Sequence, residues 1–241
     1  MGEPGLVAGG AHCCDDQGKP DVGSAAHGAK GELNVVRIAI VTGSTRPGRN
    51  NLAAAAWVHR VARERKDAEF ELVDIADYEL PLLDEPMPPI LGQYTHAHTK
   101  IWSEKISSFD AYVFVTPEYN HSTSGALKNA IDYLHREWQN KAAGFVSYGG
   151  HSNGVRAVEH LRLVMAELMV ATVRAQVALS LFTDFEGFRM FKPGPQRESE
   201  VQTMLDQVVA WGRALKAVRI PQSTQELQVA GELMREPSVR K

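Results

Sequence analysis

Short apolar runs alternate with longer segments of helical period over most of the chain. The apolar runs predict five strands, at Val35–Thr42, Glu69–Ile75, Ala111–Thr116, Ala143–Ser147 and Thr172–Leu179. The segments of helical period predict five helices, at Asn51–Lys66, His98–Phe109, Gly125–Trp138, Gly154–Leu168 and Glu198–Val218. Strands that alternate with helices form parallel sheets, and strands buried on both faces are continuously apolar. The pattern therefore predicts an α/β fold, a doubly wound five-stranded parallel sheet with helices on both faces.

A doubly wound sheet binds its ligands beyond the carboxyl ends of its strands, at the point where the strand order reverses. In the order 2-1-3-4-5, the first and third strands flank that point. We therefore expect the loops after Val41 and Val115 to form the functional site.

The two ends of the chain differ from this central segment. Residues 1–33 are rich in Gly, Ala and Asp and poor in large apolar side chains, which predicts a disordered leader. Residues 34–219 are predicted to form the domain, and residues 220–241 a polar C-terminal tail.

Charge and cysteine content exclude several classes of protein. The 26 Lys and Arg residues against 29 Asp and Glu residues give a net charge of -3, which does not favour nucleic acid or an anionic membrane as partner. The only cysteines, Cys13 and Cys14, are adjacent and form no spaced disulfide framework. No segment has the length and apolarity of a membrane helix, and no secretory signal is visible. We expect a cytoplasmic protein.

The loop after the first strand carries groups that suit a phosphate. It supplies the hydroxyls of Ser44 and Thr45, the guanidinium groups of Arg46 and Arg49, and the free amides of a helix that begins at Asn51. It lacks the Lys-Ser/Thr ending of a P-loop and the G-x-G-x-x-G of a dinucleotide fold, so a monophosphate is the better match. A polar turn in which an asparagine merely caps the helix is the alternative.

The loop after the third strand begins Pro117-Glu118-Tyr119-Asn120. Proline restricts the backbone, so that the amides of Glu118, Tyr119 and Asn120 can face the edge of a flat heterocycle, and Tyr119 offers an aromatic surface. A purely structural turn explains the same residues equally well.

The loop after the fourth strand contains Ser147, Gly149 and Gly150. Adjacent glycines let the backbone approach a ligand closely, which suits the rim of a binding pocket. The alternative is a flexible loop in which Ser152 or Asn153 caps the next helix.

Two histidine pairs, His96 with His98 and His151 with His160, suggest zinc. No Cys, Asp or Glu stands beside either pair at metal-ligand spacing in the sequence, so we predict no metal site.

Apolar residues on the predicted helices have simpler roles. Trp138, Leu161, Met165 and Met169 are expected in the core or in a subunit interface. The apolar face of Gly125–Leu134 is a candidate for dimer contacts.

Three motifs together resemble those of the NADPH-dependent FMN reductase family, which includes quinone, azo and chromate reductases. They are G-S-x-R at Gly43–Arg46, P-E-Y-N at Pro117–Asn120 followed by G-x-L-K-N-A-I-D at Gly125–Asp132, and the loop Ser147–Gly150. The resemblance runs from about Val35 to Val177 and implies a flavodoxin-like fold with strand order 2-1-3-4-5.

The resemblance also implies an enzyme that binds FMN and passes electrons from NADPH to a flavin, quinone or azo acceptor by a ping-pong mechanism. It implies a homodimer or a dimer of dimers. It implies that the FMN phosphate is held by Ser44, Arg46 and Asn51, that the isoalloxazine lies along Pro117, Glu118, Tyr119 and Asn120, and that its other edge lies near Ser147, Gly149 and Gly150.

Two questions stay open at this point. Many family members have a serine at the position of Arg49, so that Arg49 contacts either FMN or the extra phosphate of NADPH. The rival functions are a flavodoxin-type electron carrier and a relative that has lost its flavin. Such carriers are usually strongly acidic and cover FMN with aromatic residues, whereas this chain is nearly neutral and offers only Tyr119 and Tyr148.

Overall fold

The computed structural model describes residues 35–219; the predicted leader, the C-terminal tail and both cysteines lie outside them. Five parallel strands form one sheet in the order β2-β1-β3-β4-β5. The strands are β1 (Val36–Thr42), β2 (Ala68–Val73), β3 (Ala111–Pro117), β4 (Ala142–Gly149) and β5 (Ala171–Ser180). The predicted fold and strand order are confirmed.

Five α-helices cover the two faces of the sheet. They are α1 (Asn51–Ala62), α2 (Ala97–Ser107), α3 (Gly125–Asp132), α4 (Val155–Glu167) and α5 (Gln196–Leu215). Helices α1 and α5 pack with Val36, Ile38 and Ile40 on one face, whereas α2, α3 and α4 pack with Ala39 and Val41 on the other. Because both faces are covered, every residue of β3 and β4 is buried, which explains their continuous apolar sequence.

The largest difference from the predicted elements is the end of α3, which stops at Asp132 instead of Trp138. Trp138 lies in a separate 3₁₀ turn, Arg136–Trp138, and its ring is completely buried. Its indole N–H donates to the carbonyl oxygen of Ile131 over 3.1 Å, so that it satisfies a carbonyl in the last turn of the helix. Core packing of one large side chain therefore ends the helix early.

A two-stranded hairpin after β5 was not predicted. Its strands are β6 (Phe185–Glu186) and β7 (Met190–Phe191). The rings of Phe185 and Phe191 are 5.0 Å apart, and Phe191 also contacts Trp57 of α1 with centroids 5.3 Å apart. The base of the hairpin is thereby fixed to the domain core.

The expectations for apolar helix residues are partly confirmed. Trp138, Leu161 and Met165 are fully buried, whereas Met169 is 55% exposed beyond the end of α4. The proposed dimer face on Gly125–Leu134 is wrong, because its apolar residues are buried in the core of the same chain. No helix within residues 35–219 has the length and apolarity needed to span a membrane.

Candidate functional site

The loops after β1 and β3 meet at the carboxyl edge of the sheet. The hydroxyl of Ser44 lies 3.0 Å from the hydroxyl of Tyr119. The Ser124 hydroxyl, at the start of α3, donates to the carbonyl oxygen of Gly43. The two loops therefore form one continuous wall at the point where the strand order reverses.

The Asn51 side chain couples the loop after β1, called here the first loop, to β3. Its carbonyl oxygen accepts from the amide of Gly43 over 2.9 Å, and its NH₂ group donates to the carbonyl oxygen of Val115 over 2.7 Å. Asn51 is completely buried. A Cβ atom on Gly43 would lie 2.6 Å from the same Val115 oxygen, so glycine is required there. The Asn51 side chain was expected to contact a phosphate, but its oxygen and its NH₂ group instead bond the backbone and position the loop.

A cavity of about 480 Å³ lies beside the first loop. Arg46 and Arg49 of the loop line it, together with Phe188 and Arg189 of the β6–β7 hairpin. Among residues 35–219, the ion pairs include neither Arg46 nor Arg189. The cavity thus has an excess of positive charge, which suits an anionic ligand.

Arg49 is engaged within the protein. Its guanidinium group pairs with the carboxylate of Asp74, which follows β2, and both side chains are largely buried, at 16% and 13% exposure. The other oxygen of Asp74 accepts from the hydroxyl of Thr42 over 2.7 Å. The Nε atom of Arg49 is buried and has no hydrogen-bond partner among the described residues. Arg49 therefore contributes less net charge to the cavity than the sequence suggested.

The loop after β3, called here the third loop, closes as a tight hairpin turn. The amide of Tyr119 donates to the carbonyl of Ser122 over 2.9 Å, and the reverse bond is 3.1 Å long. The two central residues, Asn120 and His121, have φ values of 48° and 74°, which is the geometry of a type I′ turn. Within this turn, the amides of the two central residues make no backbone hydrogen bond among the described residues.

Glu118 fixes the third loop to the loop after β4, called here the fourth loop. Its amide donates to the carbonyl of Tyr148 over 3.1 Å, so the expectation that the amides of Glu118 and Tyr119 are free for a ligand is wrong. Its carboxylate accepts from Arg156 and, over 2.7 Å, from Ser152. Burial alone would raise the pKa of Glu118, but these hydrogen bonds outweigh it and hold the pKa below its usual range.

The fourth loop is shaped by packing against α4. The Ser147 hydroxyl donates to the carbonyl of Asn153 over 2.9 Å. A Cβ atom on Gly149 would lie 2.8 Å from the amide nitrogen of Gly154, so close backbone packing accounts for that glycine. Gly150 is partly exposed, and Tyr148 is buried against Phe185 with ring centroids 5.9 Å apart. Tyr148 therefore does not provide the exposed aromatic surface that the sequence suggested.

Sequence reasoning missed the contribution of the segment after β5. The rings of Phe182 and Phe188 are 5.6 Å apart in an edge-to-face arrangement, and both are about half exposed. Phe182 also contacts His151 of the fourth loop, with centroids 5.5 Å apart. One signal was available: the segment with Phe182, Phe188 and Arg189 follows β5, whose carboxyl end reaches the same edge of the sheet.

One histidine pair has an acidic neighbour that the sequence spacing did not indicate. The Nε2 atom of His98 lies 3.0 Å from an oxygen of Asp84, and the ring of His96 stacks on His98 with centroids 5.2 Å apart. Within residues 35–219, no group of three or more His, Cys, Asp or Glu side chains has an arrangement that could hold a metal ion.

The arrangement combines a cationic cavity at one end with exposed backbone at the other. Arg46 and the Ser44 hydroxyl suit a phosphate, while Asn120 is exposed at the tip of the loop after β3 and Gly150 is partly exposed in the loop after β4. A phosphorylated molecule with a flat polar ring matches this distribution of groups.

Comparisons with known proteins agree with this chemistry. The model of the family described as NADPH-dependent FMN reductase matches residues 36–184. An NAD(P)H-dependent FMN reductase of Nectria sp is 34% identical over 212 residues, covering 84% of this chain and 99% of that protein. An NAD(P)H:quinone oxidoreductase of Solanum tuberosum is 35% identical over 134 residues, covering 54% of this chain and 67% of that protein.

A solved structure supports the fold. The flavoenzyme NAD(P)H:(acceptor) oxidoreductase from Paracoccus denitrificans has a TM-score of 0.59 and 23% identity, covering 75% of this chain and 98% of that chain. The loops after β1, β3 and β4 together form the crevice, and the matched range of the family model contains all three. That range ends at Asp184, before the hairpin.

Proposed function

The chain belongs to the NADPH-dependent FMN reductase family, and on that premise we propose that its crevice binds FMN and passes electrons from NADPH to quinone, flavin or azo acceptors in a ping-pong cycle. One observation supports this assignment most directly. The Ser44 and Tyr119 hydroxyls meet at 3.0 Å beside a cavity in which Arg46 has no ion-pair partner among residues 35–219.

The phosphate of FMN is assigned to the first loop. Arg46 and the hydroxyls of Ser44 and Thr45 would hold it, with the amides at the start of α1. The buried, unpartnered Nε atom of Arg49 fits an anion that completes its hydrogen bonding. The Asn51 side chain would act indirectly, because it sets the distance between this loop and β3.

The flavin ring is assigned to the space between the third and fourth loops. When bound, FMN supplies the redox chemistry, since it accepts a hydride from NAD(P)H and passes electrons to the acceptor. The amides of Asn120 and His121 would donate to polar atoms on its edge, and Gly150 would border the other side. Pro117, Glu118 and Ser147 would keep these backbone segments in place, with Glu118 held as an anion by Arg156.

The full chain tests this proposal directly. We expect the purified protein to bind FMN with a change in its absorption spectrum, and anaerobic NADPH to bleach that spectrum. Steady oxidation of NADPH with a quinone or added flavin should follow. Lack of FMN binding would contradict the proposal, whereas FMN binding without NADPH turnover would favour the electron-carrier alternative, which the reported relatives do not support.

The assembly and location of the protein are part of the same proposal. We assign it to the cytoplasm and expect a homodimer or a dimer of dimers. Exposed apolar residues in the connection between β2 and α2 support a subunit interface, because Leu82 is 85% and Ile90 48% exposed. Light scattering of the wild type and of Leu82→Glu tests this assignment; a monomeric wild type would contradict it.

A further inference from the structure

The arginines that line the cationic cavity differ in how they are engaged. Its three arginines come from two separate segments: Arg46 and Arg49 from the first loop, and Arg189 from the β6–β7 hairpin. Asp74 offsets the charge of Arg49. Arg46 is assigned to the FMN phosphate under the proposed function. Arg189 remains, exposed on the outer wall and without an ion pair among residues 35–219.

The hairpin that presents Arg189 is firmly anchored. Asp184, which is 1% exposed, accepts two bonds from Arg197 of α5, 3.1 and 3.0 Å long, and one from the amide of Ser180 over 2.8 Å. Phe185 and Phe191 fix its inner side to the core. The position of the tip is therefore determined by the fold.

The tip itself has an unusual conformation. Gly187 and Phe188 have φ values of 57° and 62°, and a large aromatic residue rarely occupies this left-handed region. The Asn50 side chain donates to the carbonyl of Phe188 over 2.7 Å, which ties the tip to the first loop. The Phe188 ring stays 55% exposed beside the cavity. A strained residue held in place next to a binding site is a reason to look for a ligand contact.

We propose that Arg189 binds the 2′-phosphate of NADPH while the Phe188 ring contacts its adenine, and that Arg189 thereby gives the enzyme its preference for NADPH over NADH. The inference rests on the proposed function. A guanidinium group beside an exposed aromatic ring matches a phosphorylated nucleoside, and the 2′-phosphate is the group that distinguishes the two dinucleotides. A second contact to the FMN phosphate would need no exposed aromatic neighbour.

The experiment compares Arg189→Gln with Arg63→Gln, a control at the distal end of α1 where the arginine is also exposed. Arg189→Lys retains the positive charge and should therefore retain part of the preference for NADPH over NADH. Steady-state kinetics give kcat/KM for NADPH and NADH, and calorimetry gives the dissociation constants of FMN, 2′,5′-ADP and 5′-ADP.

For Arg189→Gln, loss of one charge-assisted contact should lower kcat/KM for NADPH about tenfold and weaken 2′,5′-ADP binding by a similar factor. NADH turnover, 5′-ADP binding and FMN binding should change by less than about twofold, the scatter expected for a surface substitution. An equal loss with NADPH and NADH would overturn the inference. So would a tenfold weaker FMN affinity with unchanged 2′,5′-ADP binding, since Arg189 would then belong to the flavin site.

The nucleotide probes separate this inference from the proposed function. If the wild type binds 2′,5′-ADP, Arg189→Gln weakens that binding and FMN does not bind, the 2′-phosphate contact of Arg189 would stand and the reductase assignment would be refuted. A wild-type protein that oxidises NADPH but shows no preference for 2′,5′-ADP over 5′-ADP would support the reductase assignment and overturn the inference about Arg189.

A second variant tests the aromatic contact. Phe188→Gly relieves the strain of the left-handed conformation, so that loss of folding does not confuse the result. We expect this variant to bind 2′,5′-ADP and 5′-ADP more weakly, both by the same factor because both contain adenine, with unchanged FMN affinity. Unchanged binding of both nucleotides would remove Phe188 from the assignment.

Discussion

The two edges of the sheet use charged residues in opposite ways. At the amino edge, the Asp110 carboxylate accepts from the amide of Arg37 over 2.9 Å, from Lys216 over 2.9 Å and from Arg219. At the carboxyl edge, Arg46 and Arg189 face a cavity, and the ion pairs found within residues 35–219 include neither of them. At the amino edge Lys216 and Arg219 are both neutralised within the fold, whereas at the carboxyl edge only Arg49 of the three cavity arginines has an ion-pair partner among the described residues.

Lys141 extends the contrast. It is 5% exposed at the start of β4 and donates to the carbonyl of Ile106 over 3.1 Å, to that of Ser107 over 3.3 Å and to the Tyr112 hydroxyl over 2.9 Å. All three of its N–H donors are thus used. Burial, with the nearby charge of Arg219, lowers the pKa of Lys141 to about 7.

The largest expected effect concerns the amino edge. Asp110→Ala removes the acceptor for Lys216, Arg219 and the Arg37 amide, and we expect a loss of about 3 kcal/mol in the free energy of unfolding. Urea unfolding monitored by circular dichroism measures it. The FMN dissociation constant under native conditions should stay the same. The contrast would fail if FMN binding weakened tenfold while stability was unchanged.

Arg46→Ala is the matching change at the carboxyl edge. Loss of a charge-assisted phosphate contact should weaken FMN binding by about 1 to 3 kcal/mol. The melting temperature of the FMN-free protein should not fall, because Arg46 makes no ion pair among the described residues. Arg63→Ala is the control, and fluorescence titration measures the affinity. An unchanged dissociation constant would place the phosphate elsewhere.

Lys141 gives the amino edge its own dependence on pH. Its folded pKa of about 7 lies below the ordinary 10.5, so between these values the unfolded chain binds more protons and raising the pH favours folding. This one group should add roughly 1 to 2 kcal/mol of unfolding free energy between about pH 7 and 9. Lys141→Met should flatten that rise. An equally steep rise in the variant would assign it to another group.

The smallest effect is expected where the third and fourth loops join. A depressed pKa means that the Glu118 contribution to stability is present above the ordinary glutamate pKa of 4.5 and lost as the pH falls below it. Because Arg156 is 46% exposed, Arg156→Ala should cost only about 0.5 to 1 kcal/mol at neutral pH. Melting temperatures between about pH 6 and 3 would show a weaker acid dependence in the variant. An unchanged profile would show that this ion pair does not hold the loops together.

The sequence specifies most of the fold because its signals are local. The strands β1 and β3 are almost continuously apolar, with Arg37 the one exposed residue of β1, and that pattern depends on burial of both faces. The end of α3 was missed because it depends on where the Trp138 ring packs. The hairpin after β5 was missed because two-residue strands give no periodic signal.

The site was predicted only in part, for a related reason. Motifs located its three loops, since the carboxyl ends of parallel strands share one edge. They did not reveal that Asp74 pairs with Arg49, or that the Tyr119 amide is consumed by its own turn. Such assignments depend on contacts between segments distant in sequence, which a single chain does not display.

The two hydrogen bonds of the Asn51 side chain also determine when the crevice can form during folding. Its bond to Val115 joins residues separated by 64 positions, so the first loop cannot take its final shape until β3 has docked beside β1. Cofactor-binding competence should therefore arise only after β3 has docked beside β1, and we expect this step to follow the transition state. FMN would then slow the unfolding rate of the native protein and leave its folding rate nearly unchanged.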